Sequence, residues 1–551
     1  MGHDFAYPPV EFETEPAHYA HWKLSVDGPV ATLKMQVQED HPLWDGAYEL
    51  KLNSYDLGVD VELADAIQRL RFEHPEVRVV VMTGGHDAKV FCAGANIKML
   101  GMAPHAFKVN FCKFTNETRA SMEDAAQNSG QVYVAALNGT ASGGGYELAL
   151  ATQEIWLIDD GNAAVSLPEV PLLGVLPGTG GLTRLTDKRK IRRDMADVFC
   201  TKAEGFRARD ALKYRFVDHT WPRSRWEEGT AGRAAELAAQ VAAAHPERVG
   251  AGIHLPGLGR RHSDDGWFYE HVDVSFDHGN DDRVVTLTLR GPDDAPRRDG
   301  RTWSLHAFRE LDDALLRLRV NHLDVGLVLL RVQGDAERIL AHEAQVLEGA
   351  KTDWFWREVQ LFQARTLRRV DNTAKTFFAL IEADSAWVGT LFDLALASDR
   401  LYMFQDDDGA NTVRLTVANQ GAFLMASEQT RLQARFPGDA AAIAACMGHD
   451  GPIDAETAQE LGLVTASLDD IDWEDEVRIA VEERISLSPD ALTGMEQNLR
   501  FGGAETCETK IYGRLTAWQN WIFQRPNAVG ERGALTMYGD PERPIFDFKR
   551  T

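Results

Sequence analysis

The stretch that decides the fold is NGTASGGGYELALA, Asn138 to Ala151. Three consecutive glycines, Gly143 to Gly145, run into an alanine-rich apolar segment carrying one acidic residue, Glu147. The preceding VYVAAL (132–137) reads as a buried strand, so the glycines mark a strand-to-helix turn. Backbone without side chains at such a turn can bring free N–H groups close to a negative oxygen, helped by the helix dipole. Taken alone, the segment also fits a tight turn with a glutamate that merely favours a helix N-terminus.

Two further segments give the glycines a partner. VFCAGANIKML (Val90 to Leu100) follows the strand VRVVVMT and carries small residues at Ala93, Gly94 and Ala95 before a helix start. SLPEVPLLGVLPGTGGLTRL (Ser166 to Leu185) sets Glu169 between Pro168 and apolar residues. A carbonyl held by the N–H groups of Ala95 and Gly144 would become an enolate or oxyanion more readily. Preorganised donors of this kind are worth about 3–4 kcal/mol each. Glu147 and Glu169 would then work as an acid and base pair with pKa values pushed apart.

The chain is also written twice. ELALA at Glu147 falls on DLALA at Asp393, 246 positions later, and VELADAIQRLR (Val61 to Arg71) on RELDDALLRLR (Arg309 to Arg319), 248 later. VRVVVMTGG (77–85) lies over VGLVLLRVQG (325–334), and RARDALKYRFV (207–217) near DAETAQELGLV (454–464). Apolar strands alternating with amphipathic helices predict an α/β fold in each half. The expected boundaries are a first domain at 16–221, a linker with a helix at 222–275, a second domain at 276–472 and a helical region at 473–551.

Together the three segments of the first half resemble the crotonase (enoyl-CoA hydratase/isomerase) superfamily. That resemblance implies a spiral of ββα units and an acyl-CoA thioester ligand, and with the internal repeat the expected fold is two tandem crotonase-like α/β copies. Ala95 and Gly144 would supply the oxyanion-hole N–H groups, and Glu147 and Glu169 the catalytic carboxylates. Ala93, Lys98 and Gly143 would lie along the substrate and CoA site. Asn96 stands where the family more often has Asp. In the second half GGG becomes Gly389, Thr390 and Leu391, AGA falls near Ala341, His342 and Glu343, and Glu169 falls near Val417. That half is expected to be degenerate, with Leu391 and Phe392 crowding any oxyanion hole.

The whole-chain pattern is similar to a branch of the superfamily that opens a ring bound to CoA. It implies conversion of 2,3-epoxy-2,3-dihydrobenzoyl-CoA and two waters to 3,4-didehydroadipyl-CoA semialdehyde and formate, in aerobic benzoate degradation. The alternatives are an enoyl-CoA hydratase or isomerase with an added structural half, and a non-catalytic acyl-CoA binding scaffold. The resemblance implies no metal, no cofactor beyond the CoA of the substrate, and a homodimer.

Composition narrows the remaining classes. A formal charge of −26 over 551 residues excludes nucleic acid and anionic membrane as main partners. The five cysteines are scattered without a CxxC pair, which fits a reducing cytoplasm. MGHDFAYPPVEFETEP shows no signal peptide, and no apolar run approaches the roughly 20 residues of a membrane span.

Overall fold

The computed structural model describes residues 7–85, 89–276 and 281–551, so the first six residues of the N-terminal reading lie outside it. The chain divides into two units, Met1–Leu255 and Pro256–Thr551. Among the described residues no helix is long and apolar enough to cross a membrane.

The first unit is built on a six-stranded sheet, in the order Trp22–Asp27, Val30–Met35, Val79–Gly84, Val132–Leu137, Glu154–Asp159 and His219–Pro222. The first two strands form an antiparallel hairpin across Gly28 and Pro29, with Gly28 at a φ of 54° that favours glycine. All later pairings are parallel. This explains the two sequence textures. Ala31, Leu33 and Met35 alternate inward on the second strand, while the next strands read as nearly continuous apolar runs because both faces are covered. The helix Leu57–Phe72 is capped by the Asp56 carboxylate, which accepts the N–H of Val59 at 3.1 Å. It buries Leu57, Leu63, Ile67 and Leu70 completely or nearly so, each worth about 1.5–3 kcal/mol.

A second, four-stranded sheet carries the three loop segments. Its strands are Val90–Cys92, Thr140–Ser142, Ala164–Ser166 and Phe206–Arg207, in that order. The three segments singled out in the sequence are thereby laid side by side, each leaving this sheet from a neighbouring strand.

The second unit repeats the strand pattern. Val272–Phe276 and Val284–Arg290 pair antiparallel, then Leu327–Gln333, Thr376–Ile381, Arg400–Phe404 and Ala466–Leu468 follow in parallel. Two short strands, Arg261–Ser263 and Gly266–Phe268, extend its edge to give eight strands. The helix Trp473–Ser486 lays Val477, Ala480, Val481 and Ile485 against Val284, Leu327 and Phe378 of this sheet. The C-terminus returns to it as well, with Arg550 donating to the Gly326 carbonyl at 3.0 Å and pairing with buried Glu496.

The expected linker at 222–275 is corrected. Its helix, Trp226–Ala244, packs on the first sheet beside the Val30–Met35 and Val79–Gly84 strands. The chain beyond it is stitched to the Leu57–Phe72 helix end: Ile253 N–H donates to Phe72 at 2.8 Å and Leu255 N–H to the Glu73 carboxylate at 2.9 Å. From Pro256 onward the residues belong to the second unit, whose sheet begins at Arg261 rather than after 276. An alanine-rich helix and short polar edge strands carry little amphipathic signal, which is why the stretch reads as a connection.

Candidate active site

Each of the three glycines serves a different close approach. Gly143 adopts φ 52° and ψ −129° as the N-cap of the helix Gly144–Leu150, and a Cβ there would lie 2.9 Å from Glu169 Oε1. Its N–H donates to Ser166, and its carbonyl accepts from Tyr146 and Glu147, all at 2.9 Å. A Cβ on Gly144 would stand 3.3 Å from the Ala95 nitrogen, and one on Gly145 only 2.5 Å from the Cys92 carbonyl oxygen. From the facing loop Gly94, at φ 91°, comes so near that its Cβ would meet the Ser142 carbonyl at 2.8 Å and the Gly144 nitrogen at 2.9 Å. Two stretches of backbone pass with nothing between them.

This contact brings the N–H groups of Ala95 and Gly144 together, and neither has a protein acceptor among the described residues. Asn96 fixes the loop: its side chain accepts the Met99 N–H at 3.0 Å and donates to the Glu49 carbonyl at 2.8 Å. An Asp there could cap the helix but could not donate to that carbonyl. Ala93 and Lys98 are exposed on the same loop and the helix after it.

Glu147 and Glu169 occupy opposite environments. Glu147, 2% exposed, accepts from the Thr179 N–H at 3.0 Å, the Gly181 N–H at 2.8 Å and the Thr179 hydroxyl at 2.6 Å. Glu169, 8% exposed, opens a π-helical turn (Glu169–Leu173), and its Oε2 has no hydrogen-bond partner among the described residues. Burial, reinforced by the neighbouring charge of Glu147, raises its pKa from 4.5 to about 7. One carboxylate is therefore tied by three donors, and the other is poised to gain or lose a proton near neutrality.

A buried network beneath the loop contact was not visible in the sequence. Arg119, 1% exposed, donates to the Gly144 carbonyl at 3.1 Å and the Thr115 carbonyl at 3.0 Å, and its guanidinium lies 5.8 Å from the centre of the Tyr55 ring. The Tyr55 hydroxyl and the Thr118 hydroxyl both donate to the buried Asp60 carboxylate. Tyr55 also clasps the facing loop through its backbone, donating to Gly94 at 2.8 Å and accepting from Asn96 at 2.9 Å. Arg119 and Tyr55 thus brace both sides of the N–H pair. Thr179 was likewise missed, since nothing local marks a threonine that ligates a glutamate 32 positions earlier.

The corresponding turn of the second unit keeps the backbone and changes the contents. Gly389 adopts φ 49° and ψ −118°, donates to Arg414 at 2.8 Å, and accepts from Phe392 and Asp393 at 2.9 and 3.1 Å. In place of the Ala93–Ala95 loop stands a helix, Ala336–Gly349, which presents Glu343. The Glu343 carboxylate takes the N–H of Thr390, the Thr390 hydroxyl at 2.7 Å and the Thr416 hydroxyl at 2.5 Å. Leu391 and Phe392, expected to crowd this turn, are fully buried, and it is Glu343 that lies against Gly389. Asp393, at the Glu147 position, is 3% exposed with Oδ1 unpartnered, and burial raises its pKa to about 6. Val417 is exposed, so no second carboxylate stands at the Glu169 position.

Comparison with known proteins bears on this geometry. The chain is 52% identical over 551 residues to the benzoyl-CoA-dihydrodiol lyase of Aromatoleum evansii, covering 98% of both chains. The chain belongs to the benzoyl-CoA-dihydrodiol lyase family. The enoyl-CoA hydratase/isomerase family model matches residues 49–270, which places this lyase family in the crotonase superfamily and contains the paired loops and both glutamates. Among solved structures, an enoyl-CoA hydratase of Geobacillus kaustophilus HTA426 is 31% identical, covering 42% of this chain and 79% of that one, with a TM-score of 0.36. An enoyl-CoA hydratase of Bacillus anthracis is 26% identical over 40% of this chain and 77% of its own, with a TM-score of 0.34.

Proposed function

We propose that the chain is a ring-opening, carbon–carbon-cleaving lyase that acts on 2,3-epoxy-2,3-dihydrobenzoyl-CoA. With two waters it would yield 3,4-didehydroadipyl-CoA semialdehyde and formate, in aerobic benzoate degradation. The observation that carries the reading is the pair of oppositely situated glutamates beside two free N–H groups, in a chain alike along its whole length to a benzoyl-CoA-dihydrodiol lyase.

The thioester oxygen accepts from Ala95 and Gly144, so negative charge arriving from the adjacent ring carbon meets donors already in place. Glu169, with a pKa of about 7, passes protons to and from water and the opening ring. Glu147, its oxygens fixed by Thr179 and Gly181, retains acceptor capacity for one more donor, which suits a held water. Val170, Leu172, Leu173, Val175 and Leu176 are exposed on the segment after Glu169, an apolar neighbourhood suited to a ring-bearing acyl group. Ala93, Lys98 and Gly143 are assigned to the substrate and CoA side of this site. No metal or redox cofactor is assigned a part in these steps.

The second unit is, in this reading, a degenerate crotonase-like copy. Its matching strand order and Gly389 turn support descent from one ancestor, and the Glu343 contact accounts for its silence. The protein is assigned to the cytoplasm as a homodimer. An apolar groove of about 560 Å³, lined by Met495, Leu515, Trp518, Ile522, Phe523 and Leu535, is the surface a second copy would cover.

A second reading, an enoyl-CoA hydratase or isomerase with an added half, is favoured by the family-model match over residues 49–270. Mass spectrometry after incubation with enzymatically generated 2,3-epoxybenzoyl-CoA and, separately, crotonyl-CoA decides between them. Formate with a six-carbon semialdehyde thioester supports the lyase. Hydration of crotonyl-CoA alone overturns it, and turnover of neither leaves an acyl-CoA binding scaffold.

A further inference from the structure

Each unit sends a glutamate from its first long helix back onto the chain entering its sheet. In the first unit Glu62 accepts from the N–H groups of Ala20 at 2.7 Å and of His21 and Trp22 at 2.9 Å. In the second, Glu310 accepts from Glu270 at 3.3 Å, His271 at 2.7 Å and Val272 at 3.0 Å, on matching oxygens. This bond-by-bond match aligns Ala20 with Glu270 and, one helical turn before the glutamate, Gly58 with His306. Around one shared anchor the second unit has both an extra carboxylate and an extra imidazole. The anchoring role, already met by Glu62 alone, does not require them.

His306 is 1% exposed, and its Nδ1 has no hydrogen-bond partner among the described residues. Its Nε2 lies 3.3 Å from Glu310 Oε1 and 3.7 Å from Glu270 Oε2, and the three potential ligand atoms all fall within 4.8 Å of one another. The ligand atom in this geometry is Nε2, the nitrogen turned to both carboxylates.

We propose that Glu270, His306 and Glu310 bind a divalent first-row transition ion of the zinc class, clipping the strand entry at 270–272 to the helix Trp303–Val320. One imidazole and two carboxylates suit zinc, with the remaining position left to water. His271 stands beside the cluster, its ring centre 6.1 Å from that of His306 and its Nε2 3.9 Å from Glu270 Oε1. Arg301, whose Nη1 is 3.7 Å from Glu270 Oε2, is the competitor that the ion must displace. The site is separate from the proposed thioester chemistry and does not depend on it.

The test uses the full-length chain, stripped with chelator and dialysed against Zn²⁺, with bound metal counted by inductively coupled plasma mass spectrometry. One zinc per chain is expected, with a higher melting temperature and, for Co²⁺, visible bands from imidazole and carboxylate ligation. Glu270→Gln, at an exposed position, and His306→Ala should each weaken binding about 10- to 100-fold. Melting of the metal-free variants checks that they fold. Absence of stoichiometric zinc, or zinc that both folded variants retain, overturns the site. Either result leaves the lyase reading untouched, because that reading is judged on product.

Discussion

The turns at Gly143 and Gly389 have almost the same backbone, yet one leaves the Gly144 N–H free and the other spends the matching Thr390 N–H on Glu343. The difference does not lie in the turn. It lies in what faces it: a loop of small residues at Ala93–Ala95 in one unit, a helix carrying a carboxylate in the other. One turn can therefore present a free or an occupied N–H according to what faces it across the gap.

The sharpest way to break this comparison is at the carboxylates. Glu147→Gln and Glu169→Gln should each lower kcat on the thioester by about 10²–10⁴-fold, whereas Asp393→Asn should leave it within about twofold. Steady-state kinetics with all three variants checks this, and a large loss in the Asp393 variant would make the second unit catalytic. The turns themselves come next. Gly143→Ala forces a side chain into a left-handed backbone and against Glu169, so kcat should fall about 10²-fold through misplacement. Gly389→Ala should lower the melting temperature while kcat below the transition is unchanged.

Glu169 sharpens the contrast through pH. Its folded pKa of about 7 lies above the ordinary 4.5, so the neutral carboxyl is favoured in the fold. Stability from this group is full below about pH 4.5 and is lost as pH rises through 7, by up to about 3 kcal/mol. Denaturation midpoints across pH 4–8 should flatten in Glu169→Gln, and the kcat/KM profile should lose an apparent pKa near 7. Glu343→Ala strands one N–H and two hydroxyls, costing about 1–3 kcal/mol by urea midpoint with kcat unchanged. Smallest is Lys98→Ala, with KM rising by about 0.5–1 kcal/mol equivalent and kcat intact, as for an exposed charge contact.

What was legible in the sequence was local. Three glycines and a glutamate within five residues announce the turn, and Glu169 is marked by the apolar run around it. The strand runs were legible because parallel strands covered on both faces are apolar throughout. Arg119, Tyr55 and Thr179 were not, because each acts on residues tens of positions away through one or two hydrogen bonds that leave no periodic trace. Glu343 was aligned with Ala95, but only the fold shows that its segment is a helix and that its carboxylate reaches Thr390. The boundary at 255 was hidden because the Trp226–Ala244 helix buries only a few residues and resembles a spacer.

The approach of Cys92 to Gly145 has a consequence for substitution. A Cβ on Gly94 would stand 2.8 Å, and one on Gly145 2.5 Å, from the facing backbone, so neither can be exchanged while the facing loop stays in place, and Gly144, at 3.3 Å, takes one only if Ala95 gives way. The second unit carries Thr390 and Leu391 at its turn with the Ala336–Gly349 helix facing it instead of a loop. Opening that turn would require removing a helix, a carboxylate and two side chains together, which no single substitution supplies.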